Sequence, residues 1–317
     1  MVGPCDSGYI RYLSAKKSVD DRALNRQVFE ALETALKTRQ ETSPLSLLEV
    51  GCGIGTMAER LIDWGILAHG SYTGLDLEPE NIAATLRRLL LSGPGLSIQV
   101  KFDKEKEVRL EGGNLKIAFK AVDFYEFAAQ EAGRRTWDIV LAHAFLDLVD
   151  LDTALPLLLG LLRPGGWFYF TLNFDGGTIF LPPLDPYLEA RIEELYHRTM
   201  DERGVGGRPA GASRTGRRLF TALPRFKGEI IAAGSSDWVV FPGPSGYEND
   251  EAYFLHYLVD TVADALRGHP ALPEAVLSDW QVQRHRQINQ GQLIYIAHNL
   301  DFFGVKLGTS QEEEFSR

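Results

Sequence analysis

The chain has 317 residues, 44% of them hydrophobic and 24% charged, an ordinary globular composition long enough for one large domain or a core with a cap. Its formal net charge of −10 speaks against broad electrostatic binding to nucleic acid or to anionic membrane, since both attract basic surfaces. Cys5 and Cys52 are the two cysteines, so a disulfide framework is excluded in practice and a reducing, cytoplasmic setting fits. Residues 1–17 lack the apolar core of a signal peptide. The most apolar stretch, 151–172, is interrupted by Asp152, Arg163, Pro164, Gly165 and Gly166 and does not read as a membrane span.

Taken in chain order, Leu24, Val28, Leu32 and Leu36 recur four apart and predict a helix over 19–37. Residues 45–50 are a short apolar run, read as a buried parallel strand, followed by a glycine turn at 51–55 and a helix over 56–64. A second strand is expected at 71–77 and a helix at 79–91, with Pro79 suited to its first turn. Residues 98–102 and 115–119 alternate apolar with polar around Glu111-Gly112-Gly113-Asn114, which predicts an inserted hairpin leading into the third core strand. The fourth strand is expected at 137–142, a helix at 151–162, a stop at Arg163-Pro164-Gly165-Gly166 and a fifth strand at 167–172.

From 173 to 216 the alternation breaks into a Gly- and Pro-rich insertion that holds one predicted helix, 186–200. It resumes with a helix at 217–223, strands at 229–233 and 238–241, helices at 250–267 and 275–289, and a last strand from 292 to 297 or beyond. This rhythm implies an α/β fold, a doubly wound and mostly parallel seven-stranded sheet with an inserted hairpin and a cap of helix and loop. Ligands of such sheets bind beyond the carboxyl ends of the strands. The expected organisation is a helical lid at 1–40, a ligand-binding core at 41–172, a cap insertion at 173–216, and the rest of the sheet with extra helices at 217–317.

Glu49-Val50-Gly51-Cys52-Gly53-Ile54-Gly55-Thr56 sets glycines directly between a strand and a helix, where the backbone can approach a ligand and free N–H groups face it. A dinucleotide fingerprint would place its third glycine at position 56, which is Thr56 here. The acidic-x-Gly-x-Gly-x-Gly form of residues 49–55 resembles the first motif of the class I S-adenosylmethionine-dependent methyltransferases. The resemblance extends over about 45–172, with Gly74-Leu75-Asp76 ending the second strand, Val122-Asp123-Phe124 the third, and Leu162-Arg163-Pro164-Gly165-Gly166 preceding the fifth. It implies S-adenosylmethionine as cofactor, with S-adenosylhomocysteine as product. It also implies a site built from Glu49, Gly51, Cys52, Gly53, Gly55 and His143, with Asp76 on the ribose, Leu77 on the adenine, Asp123 on the adenine amino group and Phe124 on its ring. In related methyltransferases the N-terminal region closes over the cofactor, so Arg22 is expected at its carboxylate.

Methyl transfer needs alignment of the acceptor and, for a hydroxyl or a protonated amine, removal of a proton. His143 and Asn173 fall just beyond strands four and five, so His143 is the first candidate base, with a bond to cofactor or backbone as its alternative role. His197 and Tyr196, at the end of the cap helix, are candidates for catalysis and acceptor binding respectively. Tyr12, Asp147, Asn173 and Arg217 complete the acceptor candidates. Arginines between 198 and 225 suit an anionic acceptor or a solvated loop. The dispersed His and Asp residues show no metal-ligand spacing. The expected function is methyl transfer to an oxygen or nitrogen of a small molecule, with no nucleic acid or membrane partner. An RNA or protein methyltransferase and a non-catalytic S-adenosylmethionine-binding protein are the alternatives.

Overall fold

The computed structural model of the protein describes residues 7–39, 44–67, 69–92, 99–102, 107–112, 115–205 and 208–308. Cys5 and the hairpin tip at 113–114 lie outside them. Two helices, α1 (Ser7–Ala23) and α2 (Arg26–Thr38), stand where a helix over 19–37 is expected. The chain breaks at Asn25, which is extended and accepts a hydrogen bond from the Val28 amide as the N-cap of α2. Then come β1 (Leu45–Val50), α3 (Thr56–Asp63), β2 (Gly70–Asp76), α4 (Pro79–Ser92), β3 (Gln99–Phe102), β4 (Glu107–Gly112) and β5 (Leu115–Ala121). The middle of the chain holds α5 (Phe124–Glu131), β6 (Trp137–His143), a 3-10 turn (Leu146–Leu148), α6 (Leu151–Leu161), β7 (Leu162–Leu181) and α7 (Pro186–Asp201). The remainder is β8 (Gly204–Val205), β9 (Arg208–Pro209), α8 (Thr215–Arg225), β10 (Gly228–Ser235), β11 (Trp238–Val240), α9 (Glu251–Leu266), α10 (Glu274–Asn289) and β12 (Ile294–Lys306).

Ten strands form the main sheet, in the order β10-β12-β7-β6-β1-β2-β5-β4-β3, with β11 paired to β12. The five strands from β7 to β5 run parallel, and β12 is antiparallel to both β7 and β10. This is the predicted seven-stranded doubly wound sheet, widened by the antiparallel hairpin of β3 and β4 beside β5. Helices cover both faces, each burying an apolar stripe, with α3 and α6 joining the parallel neighbours β1–β2 and β6–β7. Leu32, Met57, Leu61, Ile82 and Ile117 make one core under α2, α3 and α4, and Phe127, Leu155, Leu158 and Leu219 make the other under α5, α6 and α8.

The main departure from the sequence reading concerns the fifth strand. It does not end at Leu172; β7 continues to Leu181 and pairs along this length with β12. Leu172, Gly176 and Gly177 have φ of +53°, +86° and +73°, and the register with β12 slips between Ala297 and Asn299 and between Leu300 and Phe302. The Asp175-Gly176-Gly177 run that reads as a loop is therefore a bulged bend inside a strand. The extended ends of β7 and β12 carry a third core of Ala15, Val19, Leu195, Phe254, Leu258, Trp280 and Tyr295. It joins α1, α7, α9 and α10, so the first helix and the last two lie on the same end of the sheet.

Candidate active site

The turn after β1 is built from three glycines with φ of +69° (Gly51), +53° (Gly53) and +78° (Gly55). Their surroundings differ. A Cβ on Gly51 would lie 2.6 Å from the Phe145 ring, and one on Gly55 would lie 2.5 Å from Thr85 Cγ2. At Gly53 the nearest atom would be Leu13 Cδ1, 3.7 Å away, so a methyl group there would meet α1 only in ordinary contact. The Cys52 amide donates to the Leu75 carbonyl at 2.8 Å, tying the turn to the end of β2. Asp76 Oδ2 accepts from the Gly53 amide at 2.8 Å, while Oδ1 accepts from the Glu78 amide and from Asn81 Nδ2. Burial raises the Asp76 pKa against these bonds. Beside it Leu77 stands 63% exposed, an apolar side chain left in the open next to a carboxylate.

Asp123 caps α5, its Oδ1 accepting from the amides of Tyr125 and Glu126, and its Oδ2 makes no hydrogen bond among the described residues. Phe124 is buried edge-on against Phe145 with ring centroids 5.8 Å apart. Phe145 thus links the glycine turn to the end of β5, a role the sequence reading did not find. Glu49 lies below the turn, fully buried, and accepts from the Tyr72 hydroxyl; burial pushes its pKa up to about 7. The Cys52 thiol is buried too, and its pKa is raised for the same reason.

His143 ends β6 inside a buried polar cluster. Its Nδ1 lies 2.8 Å from Thr171 Oγ1, and its Nε2 lies 3.2 Å from both Asp20 Oδ2 and Arg60 Nη1. Asp20 also accepts from Lys16 Nζ at 2.7 Å and from Trp238 Nε1 at 3.0 Å. Arg60 reaches Asp21 at 2.5 Å and the Lys17 carbonyl. Burial pulls the His143 pKa down to about 4, and the neighbouring Arg60 and Lys16 charges act in the same sense against the Asp20 bond. Asp20 lies below the usual carboxylate range despite burial, because Lys16, His143 and Arg60 favour its charge. Lys16 and Asp20 are four apart on α1, a spacing visible in the sequence, but their meeting with β6 and α3 is not.

Residues 48–168, from β1 to the first turn of β7, match the family model described as a methyltransferase domain. Within that stretch lie the motifs that resemble those of the class I S-adenosylmethionine-dependent methyltransferases. The match supports an enzyme, and the motifs within it imply S-adenosylmethionine as its cofactor. Similar solved structures include a cyclopropane synthase from Mycobacterium tuberculosis, 13% identical over 95% of each chain with a TM-score of 0.49. A putative sarcosine dimethylglycine methyltransferase from Galdieria sulphuraria is 14% identical, covering 88% of this chain and 83% of that one, with a TM-score of 0.42. No curated protein matches the chain.

The methyltransferase turn fits such a cofactor in its donor set. Asp76 and exposed Leu77 place a hydrogen-bond acceptor beside an apolar face, as a ribose and an adenine require. The unengaged Asp123 Oδ2 lies at the end of the adjacent strand, and Gly53 leaves its side of the turn clear. Arg22 is held elsewhere: its guanidinium donates to both oxygens of buried Glu251, at 2.6 and 3.0 Å, and ties α1 to α9. Arg60 is instead the cation buried beside the turn.

The acceptor candidates divide. Tyr12 stacks on Tyr257 at 4.2 Å and shares the third core with Tyr196. Asp147 lies in the 3-10 turn after β6 with Oδ1 buried and unpartnered, and buried Asn173 likewise has no partner for Oδ1, although its Nδ2 donates to the carbonyls of Phe170 and Leu300. His197 meets Thr178 Oγ1 through Nε2 at 2.9 Å and packs edge-on to Phe174; burial lowers its pKa. Arg217 lies outside this group, because its backbone amide and Nε both donate to Asp175. Among the described residues no group of three or more His, Cys, Asp or Glu could hold a metal ion. No described helix is long and apolar enough to cross a membrane.

Proposed function

We propose that this methyltransferase acts on an oxygen or nitrogen of a small molecule enclosed between the strand ends and the helices α1, α7, α9 and α10. The observation that carries the reading is the pair of buried, unpartnered acceptor oxygens at those ends, Asp147 Oδ1 and Asn173 Oδ1, under a cover rich in aromatic side chains. Buried polar atoms are normally bonded, so two orphans, one in the turn after β6 and one within its neighbour β7, point to a ligand that supplies donors. A cover of this kind also excludes water from the reacting atoms.

In this reading Gly51, Cys52, Gly53 and Gly55 form the backbone cradle. Asp76 takes the ribose hydroxyls, Leu77 and Phe124 flank the adenine, and Asp123 Oδ2 takes its amino group. Glu49 supports the cradle from below. Held by these residues, the cofactor would supply an electrophilic methyl group on a positively charged sulfur to the acceptor's lone pair. Both His143 nitrogens are engaged by protein atoms and its pKa is low, which supports a holding role for it over proton removal. His197 keeps Nδ1 without a partner among the described residues and is the imidazole able to serve a hydroxyl acceptor. Three of the arginines behind the expectation of an anionic acceptor are engaged by carboxylates. Arg198 pairs with Glu194, Arg217 with Asp175 and Arg225 with Asp152.

Calorimetric titration of S-adenosylmethionine and S-adenosylhomocysteine tests the site. Wild-type protein is expected to bind in the micromolar range, and Asp76→Ala to lose about 100-fold or more, since a charge-assisted bond and the anchor of Gly53 vanish together. Equal affinity in the variant would remove Asp76 from the site.

A further inference from the structure

We infer that His256 of α9 and His285 of α10 form an acid-sensitive latch. It ties the two helices while one proton lies between the rings and opens when both rings are fully protonated. The latch lies apart from the glycine turn and does not depend on the acceptor reading above.

The two helices contribute matching groups. On α9 His256 is followed four residues later by Asp260, and on α10 His285 is followed four residues later by Asn289. Residues four apart share a helix face. The contacts then cross between the helices. His256 Nε2 lies 3.2 Å from Asn289 Oδ1, and His285 Nε2 lies 2.8 Å from Asp260 Oδ1. Gln281 Nε2 also donates to Asp260 Oδ1, at 2.7 Å. With the outer nitrogens so placed, the inner ones face each other: the two Nδ1 atoms are 2.7 Å apart while the ring centroids are 4.9 Å apart.

Counting protons shows what this geometry holds. Two nitrogens at 2.7 Å are either hydrogen-bonded or in collision, and a bond needs one N–H and one lone pair. An ionised Asp260 only accepts, so His285 keeps its proton on Nε2 and offers the lone pair of Nδ1. His256 then donates Nδ1–H, and its Nε2 lone pair accepts from Asn289 with the amide turned to present Nδ2. A first proton taken from solvent goes to His256 Nε2. Asn289 then presents Oδ1 to it, and the inner bond survives. A second proton has only His285 Nδ1 to bind. Two N–H groups now point at each other between two cations, and repulsion replaces the bond.

The neighbouring charges leave that repulsion in place. Asp260 sets one negative charge against two positive ones. From α1, Arg11 is held by Asp250 and lies 4.0 Å from the Tyr253 ring, and Tyr9 and Tyr12 lie against Tyr257. From α7, Glu189 is bound by Arg284 and by Trp280 Nε1. Burial, then the charge of His285, lowers the His256 pKa, which favours the closed latch near neutral pH. Opening is local. Leu255, Leu258, Leu277 and Ile288 stay packed in the third core, and the last turn of α10 is what the latch releases.

Nitrogen-15 NMR and hydrogen exchange on the full chain test the latch. At about pH 7.5 wild type is expected to show a scalar coupling between the two Nδ1 nuclei, lost in His256→Gln and in His285→Gln. Between about pH 7.5 and about pH 4.5, with the intrinsic pH dependence of exchange divided out, the amides of residues 286–290 should lose about tenfold or more of their protection. Amides of β6 in wild type, and residues 286–290 in both variants, should change by less than about threefold. Absence of the coupling in wild type, protection there that does not fall with pH, or an equal fall in the variants overturns the latch.

Discussion

Gly51 and Gly53 share a left-handed backbone but differ in what a side chain would meet, and the difference separates stability from binding. Gly51→Ala adds steric collision with Phe145 to a left-handed strain of about 1–2 kcal/mol, so urea unfolding should show a loss of about 2–4 kcal/mol. Gly53→Ala carries the strain without a collision and should lose about 1–2 kcal/mol, yet weaken S-adenosylhomocysteine by about tenfold because its methyl group stands in the proposed backbone cradle. Glu49 makes a prediction in pH. Its pKa is raised from 4.5 to about 7, so the folded protein keeps a proton that the unfolded chain gives up, and the contribution is full below pH 4.5 and lost as pH rises through 7. Glu49→Gln removes that loss. Its stability relative to wild type should therefore grow between pH 4.5 and 7 by on the order of 3 kcal/mol, measured by denaturant unfolding at several pH values. His143 acts with the opposite sign, since its stabilising neutral state is lost as pH falls from 6.5 toward 4. The glycines, Asp76 and Asp123 were legible because their spacing is local. Asp20, Arg60 and Phe145 were not, because each meets its partners only when three separate elements converge.

At the scale of elements, Asp301 joins three of them. Oδ1 accepts from the Leu172 amide in the bend of β7 and Oδ2 accepts from the Asn25 amide at the start of α2, at 2.7 and 2.8 Å. Asp301→Ala leaves one buried and one partly buried N–H donor unpaired, the buried one at about 1–3 kcal/mol and the other at less, so a loss of about 2–4 kcal/mol is expected. Hydrogen exchange at Asn25 and Leu172 should rise ahead of the sheet centre; uniform protection would refute the joint. The same residues explain where element boundaries were misread. Val28, Leu32 and Leu36 continue the spacing of Leu24, so apolar periodicity carries one helix through Asn25, whose capping bond depends on the turn it stands in. Gly176 and Gly177 look like a loop because glycine permits turns, and only pairing with β12 shows that they bend a strand.

For the whole molecule, the charge of −10 makes a simple prediction: no binding to a fluorescent single-stranded RNA should be seen by polarisation at physiological salt, and saturable micromolar binding would contradict it. The sequence by itself determined the alternating α/β sheet, the glycine turn after β1 and the acidic residues at the ends of β2 and β5. These depend on neighbours within a few positions and on two periodicities, 2 and about 3.6 residues, that the backbone geometry imposes. Only the tertiary structure decided that Arg22 binds Glu251, that His143 is locked by Asp20, Thr171 and Arg60, and that Tyr12, Tyr196 and Tyr295 share one core. Those contacts join α1 to β6, α7, α9 and β12 across most of the chain. Their partners are chosen by how the bent ends of β7 and β12 pack the helices, which no local spacing records.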